Sequence, residues 1–421
     1  MSGHSRPWIN EKRLRAHGTI LAVCLWSFYA WNLATPGLRD RNGNLKGTDF
    51  LHFYTLGSLG AAHRGADLYD MHAQATLAVQ RVPEAAGIRY LPLYPPQVSI
   101  LFAPMASFSY GWSLILWWGC STVVYGVCCY GVWRASPSLH NYGRTVVILA
   151  LAFPAFFHLI AWGQTSAIAL ACFTLMFFLL RDRREFLAGL VLGCLIFKPQ
   201  LGIAAAIVFV AIGAWKTVLA AAISAAGQLS AEVLYYVIEP FRHWVGMLWN
   251  VRAVLPLLEP KLYQTHSLRT FWMMLLPWPG LSFGLYLLSA AFVLGLTIAC
   301  WRRSQPMPLS LRYSALLFGT VLVAPHLTVY DLVILAPAFL LLADWIVAQP
   351  LTDSSRRMGT LLYLTYMLPL IGPFAKWTHV QLSVIAMAAA LYVIWQICRE
   401  SAPTADSATT KVDTAQKIAK A

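Results

Sequence analysis

Long apolar runs separated by short polar, mostly basic breaks make up most of this chain. A bilayer core of about 30 Å is crossed by roughly 20 apolar residues in a helix. Several runs reach that length with few or no charges inside them. Backbone polar groups in lipid must be paired within the protein, and the alternating pattern of an outer-membrane barrel is missing from the sequence, so the runs are expected to be helices.

Short loops that carry Lys or Arg tend to stay cytoplasmic, which orders the runs into about twelve spans with the N-terminus inside. The first, at about 16 to 35, leads out to a long polar segment, 36–92. Spans at about 110 to 133, 145 to 160 and 165 to 180 follow, with Arg134, Arg144 and Arg181-Asp182-Arg183-Arg184 inside. Two short runs, about 186 to 197 and 200 to 214, meet outside at a Lys198-Pro199 hinge and return to Lys216. A span at about 217 to 237 opens onto a second outer segment, 239–280. Spans at about 281 to 301, 309 to 324, 328 to 347, 359 to 372 and 379 to 398 complete the set. Arg302-Arg303 and Arg356-Arg357 then lie inside, and Pro325-His326 outside.

Three stretches do not fit a simple span. Phe50 to Arg64 and Leu68 to Arg81 carry apolar residues at helical spacing and are expected as interfacial helices, with Tyr54, Tyr69 and Tyr90 as anchors. Pro95 to Ser107 is too short to cross and has a proline near each end, so it is either re-entrant or interfacial. The expected organisation is a cytoplasmic segment 1–15, one transmembrane domain 16–398 and a disordered cytoplasmic tail 399–421.

Composition supports lipid as the solvent. Of 421 residues 58% are hydrophobic and 11% charged, with a mean hydropathy of +0.60, which excludes an ordinary soluble domain. The net charge of +14 is scattered over short clusters between spans, so it reads as topology and not as a nucleic-acid surface. None of the eight cysteines forms a Cys-x-x-Cys pair, so neither a disulfide framework nor a zinc site is expected. Arg6, Lys12, Arg13 and Arg15 precede an apolar run too long for a signal peptide and without a convincing cleavage site, so that run is read as an uncleaved first span.

This topology gathers polar residues at the outer face. Asp49 follows the first span, Gln164 opens the fourth, Lys198 sits at the hinge and His326 opens the tenth. Read singly, Asp49 is a solvated carboxylate near Arg39, Arg41 and Lys46, while Gln164 and His326 are helix-end caps. Lys198 is harder to set aside, because a cation at a helix centre costs roughly 2.5 to 3.5 kcal/mol on insertion scales. At a proline-broken hinge it can point into a polar cavity and meet a phosphate. Glu232 and Asp331, also within apolar runs, either face that cavity or satisfy neighbouring helices.

The motifs in order resemble those of the family 87 glycosyltransferases, polytopic members of the C-type superfamily. The resemblance is carried by Asp49-Phe50-Leu51-His52-Phe53-Tyr54, Gly65-Ala66-Asp67-Leu68-Tyr69-Asp70, Tyr94-Pro95-Pro96 and Trp162-Gly163-Gln164-Thr165. It continues in Ala188-Gly189-Leu190-Val191-Leu192-Gly193 leading to Lys198-Pro199, and in Ala324-Pro325-His326 with Tyr330-Asp331. It spans about 45 to 335. It implies an all-α bundle, transfer of a hexose (mannose on the resemblance alone) from a polyprenyl-phosphate sugar, Asp49 as catalytic base and His326 in the active site.

The chemistry agrees with that implication. In an inverting transfer a carboxylate takes the acceptor hydroxyl's proton as its oxygen attacks the anomeric carbon. Lys198, with His326 or Arg269, would stabilise the leaving phosphate. Tyr54, Tyr94 and Trp162 are read either as stacking platforms for sugars or as interfacial belt residues. Gln164, Tyr330 and Asp331 complete the expected substrate-binding set. No cofactor is expected, and the outer loops hold no Asp-x-Asp pair for a metal.

Nucleotide sugars are cytoplasmic, so an outer site implies a lipid-linked donor, a glycolipid or polysaccharide acceptor and a place in the inner (plasma) membrane. Two other classes remain at this point. A secondary transporter or flippase would use Glu232, Asp331 and Lys198 near the midplane, and a non-catalytic envelope subunit would use none of them.

Overall fold

A computed structural model describes residues 10–251, 261–302 and 307–400. Arg6, Arg303 and the tail beyond Glu400 lie outside the described residues, as does 252–260 within the segment 239–280. The described residues form an all-α bundle without strands. The only extended pairings among them are two isolated bridges, Arg39 with Leu45 and Thr265 with Thr328.

Helix occupies each of the apolar segments, from Glu11–Leu33 to Leu382–Glu400. Among the described residues, six helices are long and apolar enough to cross a membrane: Tyr110–Arg134, Trp215–Tyr236, Pro279–Trp301, Val329–Ala348, Asp353–Thr378 and Leu382–Glu400. A seventh crossing is available from Pro137–Leu151 and Pro154–Trp162, a pair bent by 43° at the break between them. These apolar helices make the chain a membrane protein. This count does not match the expected number of about twelve: Glu11–Leu33 is not among these helices, and Ser166–Arg181, Glu185–Phe197, Pro199–Ala211 and Leu309–Val323 are shorter apolar helices.

The helix Phe50–Ala61 departs from its expected interfacial position. Every residue from Phe50 to Gly60 is buried, because the segment is apolar all round, the property of a core helix and not of an amphipathic one. Gln97–Phe102 and the following turn of 3-10 helix, Ala103–Ser107, pack directly on it. The contact is close because Gly57 and Gly60 face the Phe102 and Ser99 carbonyls, where a Cβ would come within 2.3 and 2.5 Å of the oxygens. Met71–Arg81 does lie at the surface, with only Gln74 and Ala78 buried.

The Lys198-Pro199 hinge forms as expected. Glu185–Gly193 tightens into 3-10 helix at Cys194–Phe197, and Lys198, non-helical at φ −133° and ψ 70°, immediately precedes Pro199–Ala211. Proline at the first helical position forgoes an N–H that has no partner there and disfavours α geometry in the residue before it, so the chain turns at Lys198.

Candidate active site

A cavity of about 890 Å³ opens where the segment 36–92, the Lys198-Pro199 hinge and the Pro325-His326 turn converge. Its volume suits a small-molecule site. Asp49, Tyr94, Gln164, Lys198, His326 and Tyr330 all line it, drawn from five separate stretches of sequence.

Asp49 is held mainly through its backbone. Its N–H donates to the Trp162 carbonyl at 3.0 Å, Tyr110 Oη donates to the Lys46 and Gly47 carbonyls, and Tyr90 Oη donates to the Thr48 carbonyl. The carboxylate precedes Phe50–Ala61 but makes no capping bond to that helix. Its Oδ2 accepts instead from Gln164 Nε2 at 2.6 Å, and Oδ1 has no partner among the described residues. Burial raises the Asp49 carboxyl to about 6, against the lowering effects of the Gln164 hydrogen bond and the nearby Lys198 charge. The solvent that Asp49 meets is that of the cavity it lines.

Gln164 reaches Asp49 because of Gly163. This residue ends Pro154–Trp162 in the left-handed conformation, φ +70°, and a Cβ on it would stand 2.7 Å from the Phe50 Cβ. Only glycine meets both conditions without strain. Trp117 Nε1 donates to the Gly163 carbonyl and completes the turn.

Lys198 is buried, at 3% exposure, and is not an open phosphate cation. Its Nζ donates to Asp331 Oδ1 at 2.8 Å and to Ser166 Oγ at 3.0 Å. Ser166 Oγ in turn donates to Asp331 Oδ1 at 2.6 Å, while Asp331 Oδ2 accepts from the Thr328 N–H and hydroxyl. Asp331 is therefore the buried counter-ion of Lys198 and lies outside the cavity lining, contrary to its expected place against substrate. The ammonium also stands 5.3 Å from the centre of the Tyr330 ring. Glu232 takes the neighbour-satisfying role: its Oε2 accepts from the Gln97 N–H.

Two other expected contacts do not reach the cavity. Tyr54 is buried beneath it, donating to the Phe108 carbonyl and accepting from Arg81. Arg269 Nε donates to the Pro325 carbonyl at 2.6 Å, which fixes the turn that presents His326.

The sequence reading missed the far wall. Lys261, Tyr263, Gln264, Thr265 and His266, from the segment 239–280, line the cavity. The His266 N–H pairs with the Leu327 carbonyl, and Gln381 Nε2 donates to the Tyr263 and Thr265 carbonyls, tying this loop to the His326 turn and to the last helix. Ser166 and His52 were also missed. Among the described residues, no group of three His, Cys, Asp or Glu side chains is placed to hold a metal ion.

The model of glycosyltransferase family 87 matches residues 93–325, more than half of the chain. The chain belongs to glycosyltransferase family 87. No curated protein and no solved structure matches it. Membership of family 87 makes the chain a glycosyltransferase, and nothing supports a transporter. The matched region takes in Tyr94, Gln164 and Lys198 and ends one residue before His326, while Asp49 lies ahead of it.

Proposed function

We propose that this family 87 glycosyltransferase moves a hexose, mannose in the first instance, from a polyprenyl-phosphate sugar to a glycolipid or polysaccharide acceptor. The reaction inverts the anomeric centre. Asp49 accepts the proton of the acceptor hydroxyl while its oxygen bonds to the anomeric carbon. The bond from that carbon to the phosphate oxygen breaks on the opposite side, and the phosphate leaves with the bonding pair. The observation that carries this reading is the Asp49 carboxylate, with one oxygen committed to Gln164 and the other unpartnered, on the wall of a cavity it shares with Lys198 and His326.

The leaving phosphate is met by His326 and Lys261, with Lys198 acting through the field of its ion pair. Lys198 shares its charge with Asp331, so it supplies less stabilisation than an unpaired ammonium would. Arg269 acts as a positioning residue for His326. Tyr94, Trp162 and Tyr330 offer faces to the sugars, and Gln164 orients the base. Ile203, Ile207, Leu248 and Val251 form an apolar wall along which an isoprenoid chain can lie. The site faces the extracytoplasmic side of the plasma membrane and both termini face the cytoplasm, which is why the donor is lipid-linked.

The test is to incubate membranes containing the protein with radiolabelled polyprenyl-phosphate mannose, glucose, galactose and arabinose, following label into lipid and polysaccharide fractions. Transfer from the mannosyl donor is expected. Absence of transfer from every donor, with the protein folded, would overturn the proposal.

A further inference from the structure

His52 is buried, at 4% exposure, yet neither ring nitrogen has a hydrogen-bond partner among the described residues. It lines the cavity. Its ring stands 4.9 Å from that of Tyr90 and 5.7 Å from that of Tyr94, so two aromatic walls hold it in place. An unpaired buried polar group of this kind is destabilising. The surrounding helix, Phe50–Ala61, is otherwise apolar enough to prefer a Phe or Leu at this position.

His52 follows Asp49 by one helical turn, and side chains three apart lie on the same face with Cβ atoms about 5 to 6 Å apart. A ligand whose hydroxyl meets Asp49 therefore presents its neighbouring atoms to His52. We propose that His52 reads the acceptor by hydrogen-bonding a second hydroxyl of the sugar whose attacking hydroxyl is held by Asp49. This rests on the transferase reading above and adds the acceptor contact to it.

The chemistry selects a hydroxyl. Burial pushes the imidazole down to about 3, so it is neutral, with one nitrogen donating and the other accepting. A hydroxyl both gives and takes a hydrogen bond, whereas a phosphate oxygen only accepts and is better served by a cation. The lysines in the cavity lining are Lys198, engaged with Asp331 and Ser166, and Lys261. The neutral imidazole of His52 is thus matched to a sugar hydroxyl and not to the phosphate.

The test uses the purified full-length protein in lipid nanodiscs. Octyl α-mannoside and its monodeoxy analogues are titrated, and binding is followed by tryptophan fluorescence, Trp162 being in the cavity wall. The His52→Phe variant keeps the ring packing and removes both nitrogens. It is expected to bind the parent glycoside about tenfold or more weakly. One deoxy analogue should bind wild type with a similar loss, and that loss should vanish in the variant, the mark of a direct pairing.

Without glycoside, His52→Phe should unfold at the wild-type temperature or above, because an unsatisfied polar group is gone. A structural histidine would lower it. His52→Gln, which keeps a donor and an acceptor, should regain part of the affinity. Unchanged affinity in His52→Phe, discrimination that survives the substitution, collapse of the variant's fold, or no saturable binding by wild type would each overturn the proposal. Since binding is read without turnover, failure of sugar transfer from every donor would defeat the transferase reading and leave this result standing separately.

Discussion

Asp49 and Asp331 are both carboxylates drawn into an apolar bundle, yet their surroundings differ. Asp331 accepts from Lys198, Ser166 and Thr328, so both of its oxygens are engaged and its charge is matched. Asp49 has a single neutral amide donor on one oxygen. A fully paired carboxylate holds helices in place, and a half-paired one in a cavity retains the capacity to take a proton. The comparison separates architecture from chemistry more sharply than burial does.

The largest expected effect breaks the Asp49 side. Asp49→Asn should lower transfer by about 10²- to 10⁴-fold, the usual contribution of a general base, with an unfolding temperature close to wild type. Label transfer by the purified variant measures it, and turnover near wild type would remove Asp49 as the base. The reciprocal change is structural: Lys198→Met leaves Asp331 charged and buried, so a loss of about 3 to 5 kcal/mol is expected. Thermal or denaturant unfolding reads this, and Lys198→Met with Asp331→Leu should restore much of it. If the double variant is no more stable than the single one, the pair is not a structural unit.

A smaller effect sharpens the contrast. Gln164→Leu removes the amide donor to Asp49 and should cost about 10- to 100-fold in rate, the scale of one hydrogen bond to a charged group. That bond lowers the Asp49 pKa, so its loss should move the acid limb of the pH–rate profile to higher pH. An unmoved limb would mean that Gln164 does not serve the base.

A further test needs no substitution. A base is active when deprotonated, so with Asp49 near 6 the wild-type rate should rise as pH passes through about 6 and level off above it. Folding stability should move the other way. The native pKa lies above the unfolded value near 3.9, so Asp49 contributes a loss of stability as pH rises from about 4 to 6. A rate already flat between pH 4 and 7 would count against the raised value.

Much of this was legible in the sequence, and the rest fails for physical reasons. The helices follow from uninterrupted apolar length, and the Lys198-Pro199 turn from proline's constraint on the residue before it. Placement of Asp49, Gln164, Lys198 and His326 around one cavity followed from sorting basic loops to one side. The partner of Lys198 was not legible, because Asp331 is 133 residues away and only the fold brings them together. Tyr54 looked like a sugar platform because aromatics at membrane interfaces and in binding sites share the same sequence pattern. Its hydroxyl goes instead to Phe108 and Arg81. Arg269 was misjudged for a similar reason, since an arginine that braces a carbonyl cannot be told in sequence from one that awaits a phosphate. His52 did leave a trace: an imidazole inside an otherwise apolar helical run, three residues after the candidate base.

Gln164, Thr165 and Ser166 are consecutive, and the first and last of them touch Asp49 and Asp331 respectively. The spacing between the proton-accepting station and the ion-paired station is thus set by a tripeptide and not by how neighbouring helices settle in the bilayer. If the helices part to admit a bulky lipid, the chamber widens while this internal ruler keeps its length.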